Sequence, residues 1–398
     1  MRGVRTIYAA MTGGFGSLAQ VAPILERLDR RRYRVVCSIA HGAAEAARAL
    51  GFEFVPYPEV APPRLVTPAG RVWWDLDLYW GRLGFAAPEY AAAVVESRLR
   101  LVRSIAPDAL LTQFCPPTEL MARITGLPLI CVTQSCWHPR GRPVGWWMKG
   151  EGEVYARVTP SFNTVLERYG AAPITRAEDL NQGDLTLLPS FPELDPVSDE
   201  DAVYLGPLTW ESAETLAPGA PSLSGRPLVV VYTGHLTDSG GRSGGLLLER
   251  CLGAFAGRDV DVLVATGLGQ GEIDPQPAQN IQVRPWLPLR RLLQRAELFV
   301  HHGGHGSCVA GLQAGVPMLV LPTFQERAYN ARQLEALGVG TFLDPVRVGD
   351  AELWNAARSC MADVAILARV RWWRSELLRR GYGGAALAVE RIDTLMAR

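Results

Sequence analysis

The sequence predicts an α/β protein made of two successive Rossmann-like halves, each a parallel sheet covered by helices. Three observations carry this. Short apolar, β-type runs alternate with helix-period segments through most of the chain. The rhythm breaks at a proline-rich stretch, 189–226, and then restarts. The 398 residues, 48% of them hydrophobic, supply enough apolar material for two cores.

The first half opens with the run Val4–Met11, bounded by Gly13-Gly14, and with helical spacing of Leu18, Val21, Ile24, Leu25 and Leu28. Tyr33–Ala40 reads as a second strand, Ala43–Leu50 as a second helix and Phe52–Val55 as a third strand. Residues 57–90 are irregular, rich in proline and carrying Trp73, Trp74, Tyr79 and Trp80. Helix returns over Tyr90–Ser104, followed by the strand Ala109–Thr112, the helix Thr118–Thr125 and the strand Leu129–Thr133.

After the break, strands are expected at Leu228–Tyr232, Val260–Ala265, Ile281–Val283, Leu298–Val300 and Met318–Leu321. Helices are expected at Leu246–Phe255, Leu289–Gln294, Ser307–Ala314 and Ala328–Leu337. This gives an N-terminal domain over 1–205, a linker over 206–226, a second domain over 227–365 and terminal helices over 366–398. Parallel sheets gather their ligand loops at the strand carboxyl ends, so two facing domains of this kind imply a cleft between them.

Composition excludes several classes. Forty basic residues balance forty acidic ones, which argues against a general nucleic-acid binder. Lys149 is the one lysine among the basic residues, a bias that suggests a GC-rich, bacterial genome. The seven cysteines are scattered without a Cys-x-x-Cys pair, so neither a zinc site nor a disulfide framework is indicated. The apolar run near the N-terminus is too short for a signal peptide, and no stretch of eighteen apolar residues occurs. A cytoplasmic protein, monomer or homodimer, without a membrane span is expected.

The densest chemical signal is Phe299-Val300-His301-His302-Gly303-Gly304-His305-Gly306-Ser307-Cys308. A strand runs into a glycine-rich turn and then a helix. Glycines admit an anion close to the backbone, and the amides at a helix start point towards it. Ser307 is expected as the N-cap, and His302 as a donor to phosphate, charged or neutral.

The stretch from Asn280 to Gly340 resembles the donor-binding motif of family-1 glycosyltransferases, inverting enzymes of the GT-B fold and here of the bacterial natural-product type. The resemblance rests on Trp286-Leu287-Pro288, the turn His302–Ser307, Gly315-Val316-Pro317, Pro322, Glu326, Asn330-Ala331 and Gly338-Val339-Gly340, in that order and spacing. It extends more weakly to Gly16, Gly51-Phe52, Val55-Pro56, Pro107-Asp108 and Gly126-Leu127-Pro128. Trp372–Arg398 fits the terminal helix that crosses back to the first domain.

The resemblance implies a nucleoside-diphosphate sugar (UDP- or dTDP-linked) as co-substrate, no other cofactor and no metal. His302 and the amides of Gly304, Gly306 and Ser307, with Gly303 and His305 in the same turn, would hold the diphosphate. The Trp286–Leu287 backbone would meet the base, and Glu326 the sugar hydroxyls. Gly234 opens a second phosphate-side turn, with His235 where the family has Ser or Thr; it either donates to phosphate or faces water. The leaving diphosphate would be stabilised by these groups, with no Asp-x-Asp expected to hold a metal against it.

Several positions depart from the family pattern. Ala310 replaces a Glu that binds the ribose hydroxyls, and Leu289 replaces a Gln, which fits a deoxyribose nucleotide. Arg327 replaces a Gln; it could pair with a donor carboxylate, with phosphate or, most simply, with Glu326. The family's catalytic His and its orienting Asp correspond here to Ser17 and Gln113. Serine cannot act as a general base at neutral pH. Ser17 is therefore left to position the acceptor, with Gln113 beside it. His138, in Trp137-His138-Pro139, is the first replacement base to consider; Asp75, Asp77 and His41 are others. An amine acceptor would need no base.

Six of the eleven tryptophans lie between 73 and 147. Trp73, Trp74 and Trp137 are the expected acceptor-binding aromatics, suited to a large, partly apolar small-molecule or peptide acceptor. A dinucleotide-dependent dehydrogenase is rejected, since Gly13-Gly14-Phe15-Gly16 is not Gly-x-Gly-x-x-Gly and strand two ends without an acid. The remaining alternative is a catalytically inactive pseudo-glycosyltransferase that binds nucleotide as an auxiliary protein.

Overall fold

In a computed structural model the chain divides into two compact units, Met1–Trp210 with Tyr382–Arg398, and Glu211–Gly381. The structure describes residues 3–12, 15–39, 43–63, 76–143, 157–210, 223–236, 243–267 and 278–398, apart from the side chains of Phe15, Leu78 and Arg82.

The first unit runs β1 (Arg5–Met11), α1 (Phe15–Arg27), β2 (Tyr33–Ile39), α2 (Ala44–Ala49), β3 (Glu53–Phe54), α3 (Leu76–Trp80), α4 (Pro88–Ile105), β4 (Ala109–Gln113), α5 (Pro116–Thr125), β5 (Leu129–Val132), α6 (Thr159–Arg168), β6 (Leu185–Leu188) and β7 (Val203–Tyr204). Its sheet is parallel throughout, in the order β3-β2-β1-β4-β5-β6-β7. Ile7, Ala9 and Met11 of β1 pack with Leu18, Val21 and Leu25 of α1, which is why those positions recur at strand and helix periods.

The second unit runs β8 (Leu228–Tyr232), α7 (Ser243–Phe255), β9 (Asp261–Ala265), β10 (Ile281–Arg284), α8 (Leu289–Leu293), β11 (Leu298–His301), α9 (His305–Ala314), β12 (Met318–Val320), α10 (Gln325–Ala336), β13 (Gly340–Phe342), α11 (Asp350–Ala362) and α12 (Val364–Arg380). The sheet order is β10-β9-β8-β11-β12-β13, again all parallel.

Where the two units divide differs from the expected boundaries. Helix α12 belongs to the second unit, so the return to the first begins at Tyr382 and not at residue 366. The last helix, α13 (Gly384–Ala397), buries Ala388, Ile392 and Met396 in the first core. Asp393 fixes it there, accepting from Arg32 Nη1 at 2.7 Å and the Tyr33 hydroxyl at 2.5 Å. Gly206, at φ +75°, lets the chain pass Tyr382; a Cβ would lie 2.3 Å from Tyr382 Cβ.

Several elements escaped the sequence pattern. Strand β7 lies inside the proline-rich stretch, and β13 is three residues long, too short to show alternation. Helix α9 begins at His305, two residues before the expected Ser307.

Candidate active site

In the second unit, β8 and β11 lie side by side, with His301 opposite Tyr232, and the chain order reverses between them. The crevice outside such a switch point is where open parallel sheets take ligands. Strand β11 delivers the turn 302–304 there, and β8 delivers Thr233 and Gly234.

His302 is 8% exposed. Its ring meets Tyr232 edge-on at 5.3 Å, and Nδ1 lies 3.5 Å from the Tyr232 carbonyl. A carbonyl only accepts, so this contact puts the proton on Nδ1 and leaves Nε2 with a lone pair. Burial, and then the charge of Arg327, hold the imidazole pKa well below its usual value. His302 is therefore neutral in the free protein. A Cβ on Gly304 would stand 2.5 Å from His302 Nε2, and one on Gly234, at φ +72°, 3.2 Å from the same ring. These two glycines make the slot for the imidazole.

The other turn residues have distinct places. His301 is fully buried, its ring stacked on Phe299 at 4.7 Å, and its Nδ1 accepts from the Gly303 amide at 3.1 Å. Its pKa is pushed down to about 3 by burial. His305 is buried as the first residue of α9.

Ser307 is not the N-cap. Gly304 takes that position in extended conformation, and the Ser307 amide donates to Gly304 O at 3.0 Å. The amides of Gly304 and Gly306 remain in the first turn, where a helix supplies no acceptor. The expected use of the Ser307 amide on phosphate is corrected accordingly: a glycine can adopt the entry conformation sooner than serine, so the helix starts earlier.

Glu326 opens α10 beside this turn. Asn330, one helical turn later, donates to Glu326 Oε1 at 2.6 Å and to the Gly303 carbonyl at 2.8 Å. Arg327 donates to Thr323 Oγ1 and lies over the Phe324 ring at 4.0 Å. Gln325 is buried with Oε1 unpartnered. Trp286 is partly buried and Leu287 buried, with Leu287 O accepting from the Leu289 amide. His235 is partly buried.

The first unit has its own switch point between β1 and β4. Ser17, in the first turn of α1, and Gln113, ending β4, are both buried there. Gln113 Nε2 donates to Gln20 Oε1 at 3.1 Å, one turn along α1 from Ser17, while Gln113 Oε1 is buried without a partner. The next residue, Phe114, has φ +53°, an uncommon conformation for a bulky side chain, and signals a constrained site.

His138 does not reach this place. Its side chain is 0% exposed; Nδ1 accepts from the Arg140 amide at 3.1 Å, and Nε2 faces Asp199 Oδ2 at 3.4 Å. Asp199 also accepts from Gln182 at 2.8 Å and Arg140 at 3.3 Å. His138 thus ties the 135–142 loop to residues 195–199, and its expected role as general base is corrected. Burial made the sequence reading fail: a loop histidine next to tryptophan looks the same in sequence whether it faces a cleft or a core.

Trp137 is also corrected. It is buried against Phe114, ring centroids 4.7 Å apart, and Phe114 in turn packs on Trp80 and Tyr79. Phe114, which sequence reasoning missed, is the partly exposed member beside Gln113. Trp73 and Trp74 lie outside the described residues, as do His41 and Asp75.

Asp-x-Asp spacings occur in the chain at Asp75–Asp77, Asp199–Asp201 and Asp259–Asp261. Asp77 accepts from the Thr159 amide at 3.0 Å at the start of α6, and Asp261 from Ser224 at 2.7 Å and Arg226 at 2.8 Å.

Residues 249–380 match the family described as erythromycin biosynthesis protein CIII-like, C-terminal domain. The whole chain superposes on the glycosyltransferase of kitacinnamycin with a TM-score of 0.74 at 23% identity, covering 99% of both chains. The chain has the GT-B fold of that glycosyltransferase, and its residues 249–380 carry the matched C-terminal domain.

The chain is 31% identical over 191 residues to demethyllactenocin mycarosyltransferase of Streptomyces fradiae, a match covering 48% of this chain and 38% of that protein. The chain thus spans about two fifths of that curated relative. It also resembles the glycosyltransferase VinC, solved in complex with dTDP, with a TM-score of 0.68 and 19% identity over 99% of this chain and 100% of VinC. This GT-B chain has no helix, among the described residues, long and apolar enough to cross a membrane.

Proposed function

We propose that the protein transfers a sugar from a nucleoside-diphosphate sugar to a large, partly apolar natural-product acceptor, with inversion and without a metal. The observation that carries this is the 302–307 turn at the second-unit switch point, with His302 slotted between Gly234 and Gly304 and the start of α9 open to an anion. The leaving diphosphate gains hydrogen bonds from the Gly304 and Gly306 amides and from His302 as negative charge develops. In this reading Glu326, which accepts from Asn330, also accepts from sugar hydroxyls.

A dTDP-linked donor is favoured over a UDP-linked one. Ala310 and Leu289 bring no hydrogen-bonding side chain to the positions that bind ribose hydroxyls in the family. That VinC was solved with dTDP supports the same choice.

Chemistry at the acceptor is proposed to run without a Ser17–Gln113 dyad. Gln113 offers an amide to orient the nucleophile, and an amine attacks without prior deprotonation. The substitution of both dyad positions also supports a second reading, an inactive nucleotide-binding auxiliary. Calorimetry with dTDP and UDP, followed by turnover assays with dTDP-sugars and hydroxyl and amine acceptors, tests both. Tight dTDP binding with inverted product supports transfer. Tight binding with no product from any acceptor supports the auxiliary reading, and no nucleotide binding rejects both.

A further inference from the structure

The large hydrophobic side chains that the described residues expose are few, and three of them, Val364, Trp372 and Leu378, lie on α12 at 78%, 46% and 75% exposure. Helix α12 is 17 residues long, about 25 Å, with Val370, Trp373 and Leu377 as its buried inner face. Helix α12 packs that face towards α9. At about 100° per residue, Val364, Ala368, Trp372 and Leu378 fall within one arc of roughly 120° on the opposite side. Burying Trp373 and Leu377 already satisfies the fold, so the outer apolar set is not needed for the core.

The same outer side is strongly basic. The helix carries five arginines and one glutamate, in a protein whose net charge is zero. Glu376 is already engaged by Arg379 and Arg380, at 2.7 and 2.9 Å. Arg369, Arg371 and Arg374 are exposed and pair with no carboxylate among the described residues. Arg371 lies inside the apolar arc, between Leu378 and Val364, and Arg369 and Arg374 flank the arc.

We propose that the outer face of α12 docks on an anionic lipid surface, Val364, Trp372 and Leu378 entering the headgroup–acyl boundary and Arg369, Arg371 and Arg374 contacting lipid phosphates. The combination of exposed tryptophan and aliphatic residues with arginines suits this environment, because the long arginine stems lie along apolar surface while the guanidinium stays at headgroup level. A second copy of the chain fits less well: a two-fold contact on this face would set the unpaired arginines against themselves. A protein partner fits less well too, since the outer side of a single helix is a convex ridge without the pocket that anchors interface hot spots. The proposal is independent of the sugar-transfer reading.

The test is co-sedimentation of the full chain with phosphatidylglycerol–phosphatidylcholine vesicles and with pure phosphatidylcholine vesicles. Binding to the anionic vesicles, weakened by high salt, is expected, with little binding to the neutral ones. Trp372→Ala with Leu378→Ala, and separately Arg371→Glu, should each lower partitioning about tenfold. All three sites are exposed, so the melting temperature should hold and separate lost docking from lost folding. No binding to anionic vesicles, equal binding to neutral ones, or binding unchanged in the variants at constant stability would each overturn the proposal. So would light scattering that shows a dimer dissolved by the same substitutions, or vesicle binding abolished only by substitutions elsewhere.

Discussion

A single nitrogen, Asn330 Nδ2, joins the Gly303 carbonyl at 2.8 Å to Glu326 Oε1 at 2.6 Å. The turn proposed for diphosphate and the carboxylate proposed for the sugar are thereby one buried hydrogen-bonded unit. Glu326 and Asn330 are four residues apart on α10, so the helix places both on the side facing the turn. Asn330→Ala should take the amide donor away from a buried carbonyl and a buried carboxylate oxygen and cost about 1–3 kcal/mol of stability. Thermal melts measure this, and a wild-type midpoint would show that the bridge does not matter.

Glu326→Gln keeps the size of the side chain and removes its charge. Affinity for free dTDP should change little, while turnover of the dTDP-sugar falls. Equal losses for nucleotide and nucleotide-sugar in calorimetry would place Glu326 in support of the turn and not on the sugar.

His302 should take up a proton when diphosphate binds. The free imidazole is neutral and its Nε2 lacks a hydrogen, so donating to phosphate from Nε2 requires protonation. A bound dianion raises the depressed pKa, and dTDP affinity should therefore rise as pH falls from 8 towards 6, by up to about tenfold per unit. Calorimetry in buffers of different ionisation enthalpy counts the proton directly. His302→Ala should abolish the proton linkage; the same slope in that variant would assign it to another group.

His138→Ala should unfold more readily and not merely react more slowly. The substitution removes the contacts to the Arg140 amide and Asp199, for a loss of about 1–3 kcal/mol. A variant with wild-type melting temperature but a rate lower by two decades or more would return His138 to the chemistry.

Acid should destabilise the protein from about pH 6.5 downwards, through its buried histidines. Burial lowers the His138 pKa to about 4 and that of His301 to about 3. The unfolded chain binds these protons near pH 6.5 and the folded one does not, so folding stability falls as pH drops below 6.5. Each histidine contributes about 1.4 kcal/mol per pH unit until its folded pKa is reached. Melting temperatures from pH 7 to pH 4 test this, and His138→Gln should flatten the slope. A flat profile in the wild type would mean that the imidazoles are solvated.

The amino-acid sequence by itself determined the two alternating halves, because strands and helices repeat their apolar positions at periods of two and 3.6 whatever they later touch. It also determined the donor motif, because glycine, histidine and proline at fixed spacings state what the backbone does at a strand-to-helix turn. Tertiary structure decided what each polar side chain faces. His138 and His302 both follow a strand in sequence; one is enclosed by Asp199 and a main-chain amide, the other is set beside an open helix start. Gly304 reads as room for an anion and is also room for the His302 ring. Trp137 reads as a cleft residue and is core, while Phe114, unremarked in the sequence, takes a left-handed conformation at the end of β4. Burial and hydrogen-bond partners depend on residues tens to hundreds of positions away, such as Asp199 for His138 and Asp393 for Tyr33, and no local pattern encodes those pairings.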